Sequence, residues 1–428
     1  MTLLIRLGGA ANLAAFVALA VSQASLGSPL FFALAAVPCV VYGLLVRALL
    51  YAAPEQPPAV STERWERLLL IALALAVAFR VPLVIRKVSP SNDMVRYVWD
   101  GRIQALGYNP YTVLPSDPAL AHTHTDETRQ MPSLHDRTPY PAAAQLFFRV
   151  MVAIDDSPNA MKLALVACDL LTTVVLLAWL RECGRSQWLA LLYAWNPLVI
   201  LEIAHSGHID ALGALWIAVS AWMLSTSRGL RAAIALAVAV GVKLLPIVLL
   251  PLYWKRVRVR DAVAGIAVLL LFYLPYAGGG ALPLGAVPNV VEYVRFNGPL
   301  FKWLAALFSP KGAALAAVAG GLAVAAWMRY RYPADEPAAW AWPMAVALSA
   351  APVVYPWYLM YFTPFLFTRR TIPLIVWTIS VLPVYIVWEL AYHHGYRWSV
   401  PLSVRYVEYG VVLASMVWVA AFRKRVAV

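Results

Sequence analysis

Apolar runs of about twenty residues recur from Leu4 to the C-terminus, separated by short polar stretches. Each is long enough for a helix to cross the hydrocarbon core of a bilayer, where backbone N–H and C=O groups find no water and must pair within the helix. A chain of 428 residues that is 62% hydrophobic and 13% charged cannot bury that much apolar surface inside a water-soluble globule. The expected fold class is therefore an all-α polytopic membrane protein, a single domain over residues 1–428 with no appended soluble domain.

Hydropathy places spans near 8–25, 30–51, 66–86, 159–180, 187–204, 208–226, 262–277, 312–328, 337–354, 357–368, 372–391 and 404–422. Two further stretches, 230–253 and 299–308, are ambiguous, so the bundle has about 12–13 helices. The first run follows Arg6 without a convincing small-residue cleavage site, and is read as a retained helix. Cys39, Cys168 and Cys183 fall in or beside apolar spans without paired or metal-type spacing, so they say little about redox compartment. The net charge of +13 sits in short loops, which suits topology and contacts with membrane lipid head groups and argues against nucleic acid as a partner.

The basic loops decide the path of 230–253. Arg228 and Arg231 precede it, and Lys255, Arg256, Arg258 and Arg260 follow it, so a simple crossing exports one cluster against the positive-inside rule. A re-entrant segment keeps both inside, and Gly241, Lys243 and Pro246 in its middle read as a broken membrane helix. The clusters Arg47 with Arg64/Arg67, Arg181/Arg185, Arg329/Arg331, Arg369/Arg370 and Arg423/Lys424/Arg425 then all lie inside, with both termini. The opposite side receives 87–158, the bend near 205–208, 278–311, and the connections at 355–358 and 392–403. Most of the unusual polar residues belong to this second set, where ionisable groups line a cavity or pair with one another.

The long insert 87–158 opens with Asp93, Arg96, Tyr97, Trp99, Asp100 and Arg102. Read as a helix over 93–106, it puts Asp93, Arg96/Tyr97, Asp100 and Gln104 on one face. Val95, Val98/Trp99, Arg102 and Leu106 occupy the other, expected in lipid or against the bundle. Gly107 stops the helix and Asn109-Pro110 starts a turn. Either Asp93 or Asp100 stands at the water–lipid boundary as a base, or Asp93 caps the helix while Asp100 pairs with Arg96 or Arg102.

Asp93 followed by Arg96-Tyr97, then Gly107, Asn109, Pro110 and Tyr111, resembles the first external loop of the GT-C superfamily of membrane glycosyltransferases. More narrowly it is similar to the bacterial polyprenyl-phosphate-mannose-dependent α-mannosyltransferases. The likeness continues through Arg137, Pro139, Tyr140 and Pro141 with Gln145 and Phe148, through Asn196-Pro197, Glu202 and Gly207-His208-Ile209-Asp210, and through Lys243 with Pro246. These motifs cover about residues 89–250; the C-terminal third matches by hydropathy and the turn Tyr355-Pro356-Trp357-Tyr358.

The resemblance implies a GT-C-like bundle whose large first extracytoplasmic loop carries the catalytic acid, in the inner membrane of a bacterium. Asp93 is the matching position for the base. The implied reaction moves a sugar, expected to be mannose, from a polyprenyl-phosphate donor to a hydroxyl of a lipid-linked or cell-envelope glycan acceptor, inverting the anomeric carbon. Desolvation strengthens Asp93 as a base, and Arg96 or Arg102 opposes it.

Candidates for acceptor or sugar binding are Asp100, Arg96, Tyr97, Tyr140, Glu202, His205, His208 and Asp210. The donor phosphate needs cations, for which Lys243, Arg295, Lys302, His393, His394 and Arg397 are candidates. Lys243 equally suits a partner for Glu202 or Asp210 inside the bundle. His205, His208 and Asp210 form a weak metal pattern, and hydrogen bonding to sugar is preferred; no cofactor is expected. The aromatic residues Tyr97, Trp99, Trp357, Tyr358, Tyr396 and Trp398 stack on sugars or serve as interface anchors. Alternative functions are a lipid or sugar transporter, for which the expected internal duplication is missing, and a polyprenol-linked glycan ligase.

Overall fold

The computed structural model describes residues 1–52, 62–87, 89, 92–279 and 283–426. Pro90 and Ser91 of the insert's opening, residues 280–282 of the predicted external stretch, and the side chains of Arg423, Lys424 and Arg425 lie outside the described residues. Regular structure among the described residues is helical, apart from an isolated pairing of Phe296 and Asn297 with Val353.

Among the described residues, eight helices are long and apolar enough to cross a membrane: Leu4–Ser22, Pro29–Tyr51, Glu63–Val84, Pro158–Glu182, Val259–Gly278, Phe301–Arg331, Arg369–His394 and Leu402–Ala421. The pair Gln187–Ala194 and Pro197–His205, bent by 55° at its break, makes a ninth if counted as one span. The described residues thus offer eight or nine helices of spanning length, against the 12–13 expected. Asp210–Ser225, Gly229–Val242 and Pro337–Ser349 have 16, 14 and 13 residues. At 1.5 Å per residue they rise only about 20–24 Å, short of a hydrocarbon core of about 30 Å. Hydropathy counts their apolar neighbours as helix, but those neighbours form 3₁₀ turns such as Leu245–Tyr253 and Pro356–Phe365. The predicted pieces 299–308 and 312–328 correspond to the two parts of Phe301–Arg331, which the non-helical backbone of Ser309 separates just before Pro310.

Three chain reversals organise the centre. Residues 187–205 run toward the bend at 206–209 and 210–225 return, with Glu182 joined to Arg228 at 3.3 Å across their open ends. Residues 229–242 run to Lys243 and 245–253 return. Here Gly229 and Val257 become neighbours, and both flanking basic clusters line one cavity. This segment ends where it began, as the charge pattern required. Residues 337–349 run to the turn at 355–358 and 356–365 return, closed by the 2.9 Å pair of Arg370 with Glu336. Arg185–Asp335 at 3.5 Å and Arg256 donating to the Tyr332 carbonyl at 2.6 Å tie the open ends together. The polar apices are thereby gathered at the opposite end.

The bent span is fixed at its break. Buried Arg80 pairs with buried Asp169 and donates to the Ala194 carbonyl at 3.0 Å, one of the groups left unpaired where the helix stops. Asn196 caps the continuation by accepting from Leu198 N–H, and its amide reaches Tyr42 and Thr378.

The insert forms its own platform. Its helix runs Asp93–Ala105, and Asn92, not Asp93, caps it by accepting from Met94 N–H at 2.8 Å. The capping alternative for Asp93 therefore falls. Gly107, at φ 89°, turns the chain out of the helix, and Asn109 accepts from Tyr111 N–H in the turn that follows. The outer face divides: Val98 packs into the main core of the bundle and Leu106 is exposed. Val95, Trp99 and Ile103 pack with Leu120 and Met131 from the rest of the loop. Arg102 instead makes a bidentate pair with Asp156 at 2.7 and 2.9 Å.

Candidate active site

Asp93 opens the insert helix at the point where the three apices meet. Gly207 permits that meeting: its φ of 69° suits the bend, and a Cβ there would stand 2.7 Å from the Met94 methyl carbon. Tyr140 hydrogen-bonds the Asp93 carboxylate, and His208, Lys243 and Asp210 are its ionisable neighbours. Tyr97 stacks on Phe148 with centroids 4.6 Å apart, stands edge-on to Tyr140, and accepts from Ile209 N–H. The aromatic pair thus braces both Asp93 and the bend.

His208 has a fixed orientation. Its Nδ1 lies 2.9 Å from Glu202 Oε2, and Tyr385 donates to the other oxygen of the same buried carboxylate. Its ring is stacked on Trp357 at 4.1 Å, and Trp357 is stacked in turn on Tyr355 at 4.4 Å. Lys243 begins where Gly229–Val242 ends, in extended backbone. Its Nζ lies 2.6 Å from Asp210 Oδ1 and 3.6 Å from the centre of the Tyr358 ring. Asp210 is the first residue of its helix, where the positive end of the helix dipole favours a carboxylate.

Burial pushes the Asp93 carboxyl above the ordinary carboxylate range, and the charge of Asp210 adds to this against His208, Lys243 and the Tyr140 hydrogen bond. The arginines expected to oppose the rise are engaged elsewhere, Arg96 with Asp100 and Arg102 with Asp156. For His208, burial acts downward, but the paired Glu202 carboxylate, with Asp93 and Asp210, leaves it raised. The Asp93 carboxylate is thus a strengthened base beside His208 and Lys243.

Of the candidate residues, Asp93, Tyr97, Tyr140, Glu202, His208, Asp210 and Lys243 come together. Asp100 and Arg96 do not join them. They form a buried pair at 2.7 Å; Gln145 donates to the second Asp100 oxygen, and Arg96 donates to the Ser133 and Asp136 carbonyls. His205 Nδ1 meets Ser206 Oγ at 3.1 Å, and its charged neighbours include Arg86 and Lys162, whose side chains donate to the Ala24 and Leu83 carbonyls. Arg295, Lys302, His393, His394 and Arg397 are exposed, and none is among the charges that act on Asp93. Arg295 folds onto carbonyls of its own turn, and His393 and His394 lie 3.9 and 3.8 Å from Glu389. Among the described residues no three His, Cys, Asp or Glu side chains are grouped to hold a metal ion. Sequence reasoning missed Tyr385 and the capping role of Asn92; Tyr385 lies within an apolar run that gives no signal, whereas Asn before a helix start is a readable cap.

Residues 3–257, which contain the insert, the 206–209 bend and Lys243, match the family described as alpha-(1->6)-mannopyranosyltransferase, N-terminal domain. The chain belongs to this family. No curated protein and no solved structure matches it. The protein is thus a multi-pass membrane glycosyltransferase of a mannosyltransferase family, and all seven clustered residues fall within the matched region. Its C-terminal part supplies the mannosyltransferase with the aromatic wall, Trp357 against His208 and Tyr358 under Lys243.

Proposed function

We propose that the protein transfers mannose in α-(1→6) linkage from a polyprenyl-phosphate donor to a hydroxyl of a lipid-linked or cell-envelope glycan. The reaction takes place at the extracytoplasmic face of a bacterial inner membrane. Asp93 takes the acceptor hydroxyl proton as that oxygen forms a bond to the anomeric carbon. The bond from that carbon to the phosphate oxygen breaks on the opposite face, polyprenyl phosphate leaves with the electron pair, and the anomeric centre inverts. General-base help of this kind contributes roughly 10²–10⁴-fold.

The observation that carries the reading is the convergence of a raised carboxyl, Asp93, with Lys243 and the oriented His208. A base requires the first, and a departing phosphate monoester requires preorganised positive charge. Lys243 and His208 meet the phosphate, Asp210 and Tyr140 meet sugar hydroxyls, and Trp357 with Tyr358 form an apolar wall for the sugar face. No metal has a role in this scheme. Incubation of the purified protein in lipid with radiolabelled polyprenyl-phosphate mannose and a mannose-terminated acceptor tests it. Labelled acceptor with a new α-(1→6) bond is expected. Movement of intact donor across the bilayer without transfer would establish a transporter, and transfer of a whole glycan would establish a ligase.

A further inference from the structure

At the far end of the hairpin that carries Lys243, a cavity of about 670 Å³ opens between the starts of Gly229–Val242 and Val259–Tyr273. The helix of 14 residues separates it from Lys243 by about 20 Å. Arg228, Arg231, Lys255, Arg256, Arg258 and Arg260 line it, with Asp261 as the one acid in the lining. Two of the cations are already committed. Arg228 pairs with Glu182 at 3.3 Å, and Arg256 donates to the Tyr332 carbonyl at 2.6 Å. Arg260 stands 3.7 Å from Asp261, whose other oxygen accepts from Arg258 N–H at 3.3 Å. Arg231 and Lys255 have no side-chain hydrogen bond or ion pair among the described residues. A positive-inside bias asks only for cations in the loops, and is satisfied by side chains splayed into water. It does not ask two loops 24 residues apart to direct theirs into one cavity, where like charges repel at short range.

We propose that this cavity binds the head group of an anionic phospholipid bearing one or more phosphates. Its rim distinguishes a lipid from a free phosphate. Trp254, Leu230 and Val259 are 61%, 46% and 81% exposed beside the cations, and Val263 and Ile266 continue the apolar surface along the same helix. A head group in the cavity leaves its acyl chains on that surface, while its phosphate joins the two loops through Arg231, Lys255 and Arg258. Basic pockets between membrane helices recognise phospholipid head groups in this way. The site lies at the opposite end of the hairpin from Asp93, so it is separate from the donor and acceptor sites and does not depend on the reaction proposed for them.

The test uses full-length protein in neutral nanodiscs, with cardiolipin as the probe and native mass spectrometry and thermal unfolding as readouts. Wild-type protein is expected to keep bound cardiolipin through delipidation and to unfold at a higher temperature with it. The triple variant Arg231→Gln, Lys255→Gln, Arg258→Gln is expected to lose at least about tenfold in affinity, through three charge-assisted contacts removed. A matched variant, Arg6→Gln, Arg64→Gln, Arg67→Gln, removes three charges from a second basic cavity, whose lining includes Thr2, Glu63 and Leu68, and is expected to bind as wild type. Equal loss in both variants means bulk surface charge and overturns the site. Stabilisation by inorganic pyrophosphate equal to that by cardiolipin overturns the lipid assignment. If the first triple variant does not elute as a folded species, Arg231→Gln alone is measured, and unchanged cardiolipin retention in it overturns the proposal.

Discussion

Lys243 holds Asp210 through one oxygen only: Nζ lies 2.6 Å from Oδ1, while the enclosed Oδ2 has no hydrogen-bond partner among the described residues. Leaving a buried acceptor unpaired costs about 1–3 kcal/mol. In the proposed reaction a mannose hydroxyl supplies the missing donor, so Asp210 serves both the lysine and the sugar.

Asp93 and Asp100 separate in kind. Asp93→Asn is expected to leave folding intact and lower turnover by at least about 10²-fold. Asp100→Asn leaves Arg96 buried without its charge partner and is expected to lower stability by about 3–5 kcal/mol. Thermal unfolding and turnover per folded molecule distinguish the two. A stable, inactive Asp100→Asn beside an active Asp93→Asn would move the base to Asp100.

Lys243 is expected to matter where the exposed cations do not. Lys243→Gln removes a charge that lowers the Asp93 carboxyl, so the acid limb of the pH–rate profile should move to higher pH, with weaker donor binding. Lys302→Ala and Arg397→Ala should leave donor KM unchanged, and chelator should leave the rate unchanged. Loss of activity with chelator and its return with a divalent ion would replace this scheme with a metal-dependent one.

Glu202 acts through His208. The imidazole must be protonated to meet the phosphate, so activity falls as pH rises through its raised pKa. Glu202→Gln removes the group that raises it, and the alkaline limb should move to lower pH. The other charges facing His208 are Asp93, Asp210 and His205, with Lys243 beyond Asp210; all remain in this variant. An alkaline limb that stays in place, in a variant of normal stability, would remove His208 from the phosphate site.

The hairpin's return is open to labelling. Single cysteines at Gly229 and Val257 should both resist a membrane-impermeant thiol reagent applied from outside, and both should react after permeabilisation. Reaction at one position alone from outside would contradict their adjacency.

Much of the site is readable in the chain because its residues cluster near helix breaks: Asp93 after a capping Asn, His208 after Gly207, Lys243 before Pro246. Charge bias also revealed that 230–253 returns to its own side. Composition could not show how deep each apolar run reaches, since 3₁₀ segments such as Pro356–Phe365 are as hydrophobic as helix. Nor could it rank the cations. That Arg295, Lys302 and Arg397 end up exposed, and that Asp100 is taken up by Arg96, are matters of tertiary position.

The loop-borne packing of Val95, Trp99 and Ile103 against Leu120 and Met131 bears on how the enzyme meets changes in its membrane. Spanning helices tilt as bilayer thickness varies. A carboxylate mounted on lipid-facing residues would drift with them, whereas Asp93 rides on a helix held between the folded loop and the bundle, the latter through Met94, Tyr97 and Val98. Growth conditions that remodel acyl chains should therefore alter how substrate arrives more than how the reacting groups are aligned.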